Sequence, residues 1–403
     1  MRIIVANNYY YLRGGSERVL FDEERALRAA GHEVVPFSTN RAENELASST
    51  SFFVAGCDLD QLSAVGKVRA VPAMIHSRVA GKAFGKLLDE HRPDIVHCHN
   101  IYGTLTTSIL LEAKRRDIPA IMTAHDAKLV CPSYLCLNHG EVCEACQGRR
   151  YRHCLQNRCH KNSLVASAIY TAESYFNKWL KRYDILKCVI SPSRFLKGLL
   201  EKSGYPADWV AYLPNAVDVK AFAPQFSPGD YVLYAGRLSK EKGLLTLLQA
   251  INGTGVPLRV VGDGPIRAEV EQFVQQHSIP LVQFEGYRSG EELASLYRNA
   301  AFLVLPSEWY ENAPMTLLEA FAYGKPVLGA RIGGIPELIR PGETGELFEA
   351  RNVEQLRTTL IQMWNDRPRL EEWGRNARKL VEEQLSLDRH YEGLISIYRR
   401  YVK

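Results

Sequence analysis

Two glutamates, Glu311 and Glu319, stand eight residues apart in the run FLVLPSEWYENAPMTLLEAFAYGKPVLGARIGGIPELIRPGETG at residues 302–345. The first precedes a helix start and the second lies two turns in, so both can face one ligand. A helix start offers unpaired N–H groups and a positive dipole end, which suits a phosphate. Pro314 has no N–H, so Met315 and Thr316 have to supply those donors. The plainer alternative is a charged helix with one glutamate in water. A second set sits in YAGRLSKEKG at residues 234–243. Arg237 and Lys242 follow a strand end on a glycine-bounded turn, where two cations suit a diphosphate. Solvated surface cations are the alternative there. The sequence GDGP at residues 262–265 follows another strand end.

Six of the nine cysteines fall within residues 131–159 in the pattern C-x4-C-x6-C-x2-C-x7-C-x4-C. The stretch has few apolar residues and cannot build its own core, and such small elements usually need a staple. Cys143 and Cys146 form a C-x2-C pair with metal-ligand spacing. A structural zinc on Cys131, Cys143, Cys146 and Cys159 is the expectation, with Cys136 and Cys154 in reserve. An iron–sulfur cluster, disulfides and no ligand at all are the alternatives. Three histidines, His97, His99 and His125, lie at the ends of apolar strands. Alternation puts His97 on the same face as His99 but earlier, which favours a structural imidazole for it.

These residues need a frame to hold them, and the chain of 403 residues is long enough for two or three domains. Hydrophobic residues at 46% and charged residues at 24% exclude a disordered, collagen-like or coiled-coil chain. No apolar run approaches the ~18 residues of a membrane span. The start, MRIIVAN, reads as a buried strand without the h-region of a signal peptide, so a cytoplasmic location is expected. The net charge of +5 is uneven: residues 1–188 carry +6 and the remainder −1. A basic first half suits anionic partners. Lys67, Arg69, Arg78, Lys82 and Lys86, with the 149–161 cluster, could touch anionic lipid at the cytoplasmic face of a membrane. No nucleic-acid recognition motif is present.

Strand, turn and helix alternate from Ile3 onward. Strands are expected at residues 3–6, 33–37, 94–98 and 120–123, and helices at 16–30 and 104–116. The same grammar restarts near residue 231, with strands at 231–235, 258–261, 282–285, 302–305 and 327–329. This alternation indicates two doubly wound α/β domains with parallel sheets. The Pro/Gly-rich stretch 222–230 reads as the linker. Ligands in such sheets bind beyond the carboxyl ends of the strands, so the cleft between the domains is the default site.

Taken in order, these motifs resemble the retaining GT-B glycosyltransferases of family 4. The resemblance rests on the Arg237/Lys242 turn, GDGP, the E-x7-E pair and the GARIGGIPELI…GETG tail. In the first half it rests on Gly14-Gly15, HCHN at His99, TAHD at His125, SPSRF and LPNAVD. It covers nearly the whole chain. It implies a GT-B fold with an acceptor-side domain at 1–218, a nucleotide-sugar domain at 219–385 and a last helix, 386–403, crossing back. Arg237 and Lys242 would hold the donor diphosphate and stabilise the leaving group, with no metal there. Glu319 would bind the ribose, Glu311 the transferred sugar, Gly15 the phosphates and Tyr287 the base. His125 would sit over the sugar at the reacting face. On the acceptor side stand Tyr10, which could stack on a sugar or pack a strand end, His99, and Asp126, which could orient His125 or the acceptor. The donor would be a UDP- or GDP-sugar and the acceptor a glycan or lipid-linked saccharide in surface-polysaccharide assembly. Similar cysteine-containing insertions occur in bacterial members. One departure bears on the donor: Glu311 is followed by Asn312-Ala-Pro314, where the family often has Gly-Phe-Gly. An epimerase, a phosphorylase and a non-catalytic metal-binding scaffold are the alternative functions.

Overall fold

The computed structural model describes residues 1–56 and 64–402; the side chains of 64–69, including Lys67 and Arg69, lie outside the described residues. The chain forms two compact units. The first comprises residues 1–139, 143–214 and 390–403; the second comprises 140–142 and 215–389. Leu213 packs in the core of the first unit, whereas the Asn215 amide donates to the Ala313 carbonyl of the second at 3.1 Å. Val217 and Ser386 then bridge to each other within the second unit. The division therefore runs at 214/215 and 389/390, where the sequence reading put 218/219 and 385/386.

Each unit is built on six parallel strands. In the first the order is Val210–Tyr212, Cys188–Ser191, Ala120–Thr123, Ile95–Cys98, Arg2–Ala6 and Glu33–Phe37. Ile3 sits opposite Val34 on one side and Ile95 on the other. Runs such as Ile3-Ile-Val-Ala6 are apolar throughout because both sheet faces are covered. One face packs Ile3, Val5, Leu27, Val34, Ile95 and Ile121 against Leu394, Ile395 and Tyr398 of the helix Leu387–Arg399. The helix Gly15–Ala29 buries Val19, Leu20 and Leu27, and with them Glu23 and Glu24.

In the second unit the order is Val282–Gly286, Leu258–Val261, Val232–Ala235, Phe302–Leu305, Val327–Ala330 and Gly345–Phe348. The chain starts at an interior strand of each sheet, fills one side and then crosses to the other. The direction of winding reverses between Arg2–Ala6 and Ile95–Cys98 in one unit, and between Val232–Ala235 and Phe302–Leu305 in the other. Such reversals open a crevice at the carboxyl ends of the two strands. Among the described residues no helix is long and apolar enough to cross a membrane.

The helix expected at 104–116 is shorter than the sequence reading has it, spanning Ser108–Arg115. Thr106 adopts φ 59°, a left-handed conformation that no helix interior contains. The cysteine-rich stretch has little regular structure beyond the helix Arg152–Gln156. Its small core is Cys146, Tyr151 and Cys154, with Cys159 and Tyr175 against it.

Candidate active site

In the second unit the crevice between Val232–Ala235 and Phe302–Leu305 holds an ion pair. Lys242 ends a 3-10 turn, Lys240–Lys242, and Glu311 lies in the loop before the helix Met315–Ala322. Lys242 Nζ stands 2.7 Å from Glu311 Oε1. The same oxygen accepts from Ser307 Oγ at 2.7 Å and from Trp309 Nε1 at 2.9 Å. Lys242 also lies 5.0 Å over the Trp309 ring. Glu311 is only 6% exposed. Burial alone raises its pKa, but the Lys242 charge and the three hydrogen bonds outweigh it and hold the carboxyl below its usual range. Glu311 is thus a fixed carboxylate with one oxygen committed to partners.

The backbone around this pair is wedged in place. Gly243 has φ 69°, and a Cβ there would meet the Pro306 carbonyl oxygen at 1.8 Å. Gly333 has φ 58°, and a Cβ there would fall 2.3 Å from the Glu311 carbonyl oxygen. Gly334 N–H donates to that same oxygen at 2.7 Å. The GGIPEL tail therefore holds the Glu311 loop through its backbone. The GDGP loop does the same for Arg237: Leu238 N–H donates to Asp263, and Ile266 N–H to Leu238. Arg237 itself is exposed, and among the described residues no carboxylate pairs with it.

The other donor-side residues expected from the sequence are placed as follows. Met315 and Thr316 open the helix, and its N-cap, Pro314, makes no side-chain cap bond. Glu319 accepts from the Tyr297 hydroxyl at 3.3 Å. Asn312 is half-buried, and Tyr287 is 68% exposed. Gly15, in the other unit, is exposed at the first position of its helix. Glu308, three residues before Glu311, is already tied to Thr246 at 2.5 Å and Arg351 at 3.1 Å.

In the first unit, His125 follows Ala120–Thr123 and is half-buried. His99 Nδ1 and His125 Nε2 are 2.8 Å apart, with the rings stacked at 5.1 Å. Burial lowers the His125 pKa to about 4 against the opposing pull of Glu23, so the ring is neutral at pH 7. Asp126 Oδ1 accepts from Lys128 N–H at 2.9 Å. Burial raises the Asp126 pKa to about 6, with Lys128 opposing. Lys128 is itself buried and pairs with Glu173 at 2.6 Å, which fixes the loop behind Asp126.

Two acceptor-side expectations are corrected. His99 is 1% exposed and lies behind His125 as its hydrogen-bond partner, not on a surface an acceptor could reach. Tyr10 is 5% exposed, packs on Phe21 and Phe53 and donates to Glu24 at 2.9 Å, so its ring has no free face for stacking. The cysteines meet in pairs. Cys131 is hydrogen-bonded to Cys136 and Cys154 to Cys159, all as free thiols, while Cys146 lies buried near both and Cys143 is partly exposed. Of the four named from the sequence, Cys146 lies within electrostatic reach of Cys131 and Cys143, and Cys159 of Cys131 and Cys146.

Sequence reasoning passed over Ser307 and Trp309, although both lie in the same run as Glu311. It also passed over Glu23 and His390, which carry no motif. His390 Nε2 stands 2.8 Å from Glu23 Oε1, and its Nδ1 faces the Pro214 carbonyl at 2.7 Å. Burial raises Glu23, but the bond from His390 and the nearby histidines bring it down to about 2. The His390 pKa is raised: burial lowers it, and Glu23 more than compensates.

Two doubly wound six-stranded parallel sheets in succession are the GT-B fold. Residues 13–221 match the family described as Glycosyltransferase Family 4, and residues 220–380 match Glycosyl transferases group 1. The chain belongs to glycosyltransferase family 4. An uncharacterized glycosyltransferase of Methanocaldococcus jannaschii is 25% identical over 82% of this chain and 82% of its own. Glycogen synthase of Mycobacterium tuberculosis is 25% identical over 94% of this chain and 90% of its own. Among solved structures, sucrose-phosphate synthase from Thermosynechococcus elongatus has a TM-score of 0.72 at 20% identity, covering 99% of this chain and 98% of that one. Anabaena HepE in complex with UDP-glucose has a TM-score of 0.71 at 16% identity, covering 99% and 100%.

Proposed function

We propose that the enzyme transfers a hexosyl or N-acetylhexosaminyl group from a UDP- or GDP-sugar to a saccharide or lipid-linked acceptor, with retention of anomeric configuration. The Lys242–Glu311 pair at the winding reversal carries this reading, with Arg237 on the turn that leads to Lys242. Lys242 and Arg237 place positive charge where a diphosphate gathers negative charge as it leaves. The backbone N–H groups of Met315 and Thr316 add donors at the same helix start. Glu311 accepts hydrogen bonds from the transferred sugar, and Glu319 from the ribose. The sugar–oxygen bond to the diphosphate breaks with its electron pair going to the nucleotide, and the acceptor hydroxyl attacks from the same face, its proton passing to the departing phosphate oxygen. The neutral His125 ring lines that face and Asp126 positions the acceptor. The UDP and UDP-glucose complexes of Anabaena HepE support a nucleotide-sugar donor. An O-antigen chain mannosyltransferase of Escherichia coli, 27% identical over 42% of this chain, supports a surface-glycan setting. The basic first half suits an anionic membrane surface.

A thermal-shift screen against UDP, GDP, ADP and their sugars tests the donor side. A ligand that binds only the folded state raises the midpoint by mass action. One nucleotide class should shift the wild type and lose that shift in Arg237→Ala. No shift with any of them overturns the reading.

For the insertion we propose a structural soft-metal role for the thiols, zinc being the ion of choice for clustered cysteines. Protein purified without chelator should then carry zinc that the Cys143→Ser/Cys146→Ser double variant lacks, and equal zinc in both argues against these two ligands.

A further inference from the structure

Behind His125 lies a cluster that the transfer reading leaves idle. Glu23 comes from the helix Gly15–Ala29, His97 from the strand Ile95–Cys98, and His99 from the residue just past that strand. They are 4%, 0% and 1% exposed. Glu23 Oε2 stands 3.6 Å from His97 Nδ1 and 3.6 Å from His99 Nε2, and all three atoms lie within 4.8 Å of one another. These separations exceed hydrogen-bond length. Glu23 Oε2 and His99 Nε2 are both buried with no hydrogen-bond partner. Two buried polar atoms left facing each other at that distance carry an uncompensated desolvation cost.

One bound cation removes that cost. With bonds of about 2.0–2.2 Å to nitrogen and oxygen and angles near tetrahedral, neighbouring ligand atoms stand about 3.3–3.6 Å apart. Each residue is also held from behind, as ligands usually are. Glu23 Oε1 is bonded to His390 Nε2 at 2.8 Å. His97 Nε2 is 2.8 Å from Thr123 Oγ1, and His99 Nδ1 is 2.8 Å from His125 Nε2. A proton on each of those two outer nitrogens leaves the inner lone pairs turned toward Glu23. The Tyr398 hydroxyl, 2.8 Å from His97 Nδ1, sits on the same edge and has to move aside for that lone pair to bind an ion.

We propose that Glu23, His97 and His99 form a two-histidine, one-carboxylate site for a first-row divalent cation such as zinc. The ion ties the first helix to the carboxyl end of the central strand. By fixing the His99 ring it also fixes the partner of His125. The site is separate from the cysteine thiols and from the nucleotide-sugar reading, and its test needs neither substrate.

The full-length protein, stripped of metal and titrated with Co2+, distinguishes the two kinds of ligand. Cobalt on thiolates gives a sulfur-to-metal charge-transfer band in the near ultraviolet; cobalt on histidine and carboxylate gives d–d absorption without it. One equivalent is expected with no charge-transfer band, with paramagnetically shifted histidine ring protons, and displaceable by Zn2+. Glu23→Gln and His99→Gln should lose that equivalent. His390→Asn, which removes only the support behind Glu23, should weaken it about 10–100-fold. Should these variants fail to fold, the wild type alone decides. Uptake of cobalt solely with a charge-transfer band, or no uptake, overturns the site, as does full retention of the equivalent in folded Glu23→Gln.

Discussion

At the residue scale, one carboxylate oxygen gathers the polar contacts of the second unit's crevice. Glu311 Oε1 is shared by Lys242, Ser307 and Trp309. Lys242→Ala would leave a buried carboxylate without its cation. Breaking a fully buried pair costs about 3–5 kcal/mol. Lys242 is partly solvated here, so a loss of about 2 kcal/mol in denaturant unfolding is expected. Glu311→Gln keeps the shape, and the measurement for it is turnover: a fall of about 100-fold in kcat is expected if the charge faces the reacting sugar. Wild-type turnover in Glu311→Gln would remove the residue from the site. That Arg237, Lys242 and Glu311 follow strand ends of the second sheet was legible from their spacing. The burial of His99 and Tyr10 was not. Alternation tells which face of a strand a residue takes, but not how many layers of protein lie over that face. Glu23 was less legible still, since a glutamate on an amphipathic helix normally marks the wet side, and its partner His390 lies 367 residues away.

At the element scale, the strands were legible from their apolar runs and the turns from glycine. The places where glycine matters most are close approaches rather than turns alone. Gly333→Ala would drive a Cβ into the Glu311 carbonyl oxygen and strain a φ of 58°. Its expected effect is a lower midpoint together with weaker nucleotide binding, because the loop carrying Glu311 must shift. A change in stability with binding intact would place that wedge outside the site. The helix Ser108–Arg115 shows the limit of pattern reading: its apolar spacing extends upstream, yet Thr106 at φ 59° breaks it. The insertion was unreadable beyond its cysteines, since a stretch held by a few thiols and tyrosines has no periodicity to detect.

At the scale of the whole molecule, the two-sheet GT-B architecture was legible because strand-and-helix alternation simply restarts. A cost hidden from sequence is Lys325, which is fully buried with its Nζ on the Ser227 carbonyl at 3.0 Å. Burial lowers its pKa from 10.5 to about 8. The unfolded chain therefore binds more protons between pH 8 and 10.5, and this residue's penalty, full below pH 8, fades as pH rises through that window. Lys325→Met should raise the thermal midpoint at pH 7 by a few degrees, and the advantage should shrink by pH 10. An equal advantage at both values would mean the charge is not the cause. The helix Leu387–Arg399 has a consequence in time. It covers one face of the first sheet, yet the ribosome makes it about 175 residues after Pro214. At about 5–20 residues per second, that delay is about 10–35 s. Throughout it Ile3, Val5, Ile95 and Ile121 lack their cover and Glu23 lacks His390, so the nascent chain offers chaperones an apolar sheet face that the finished protein never shows.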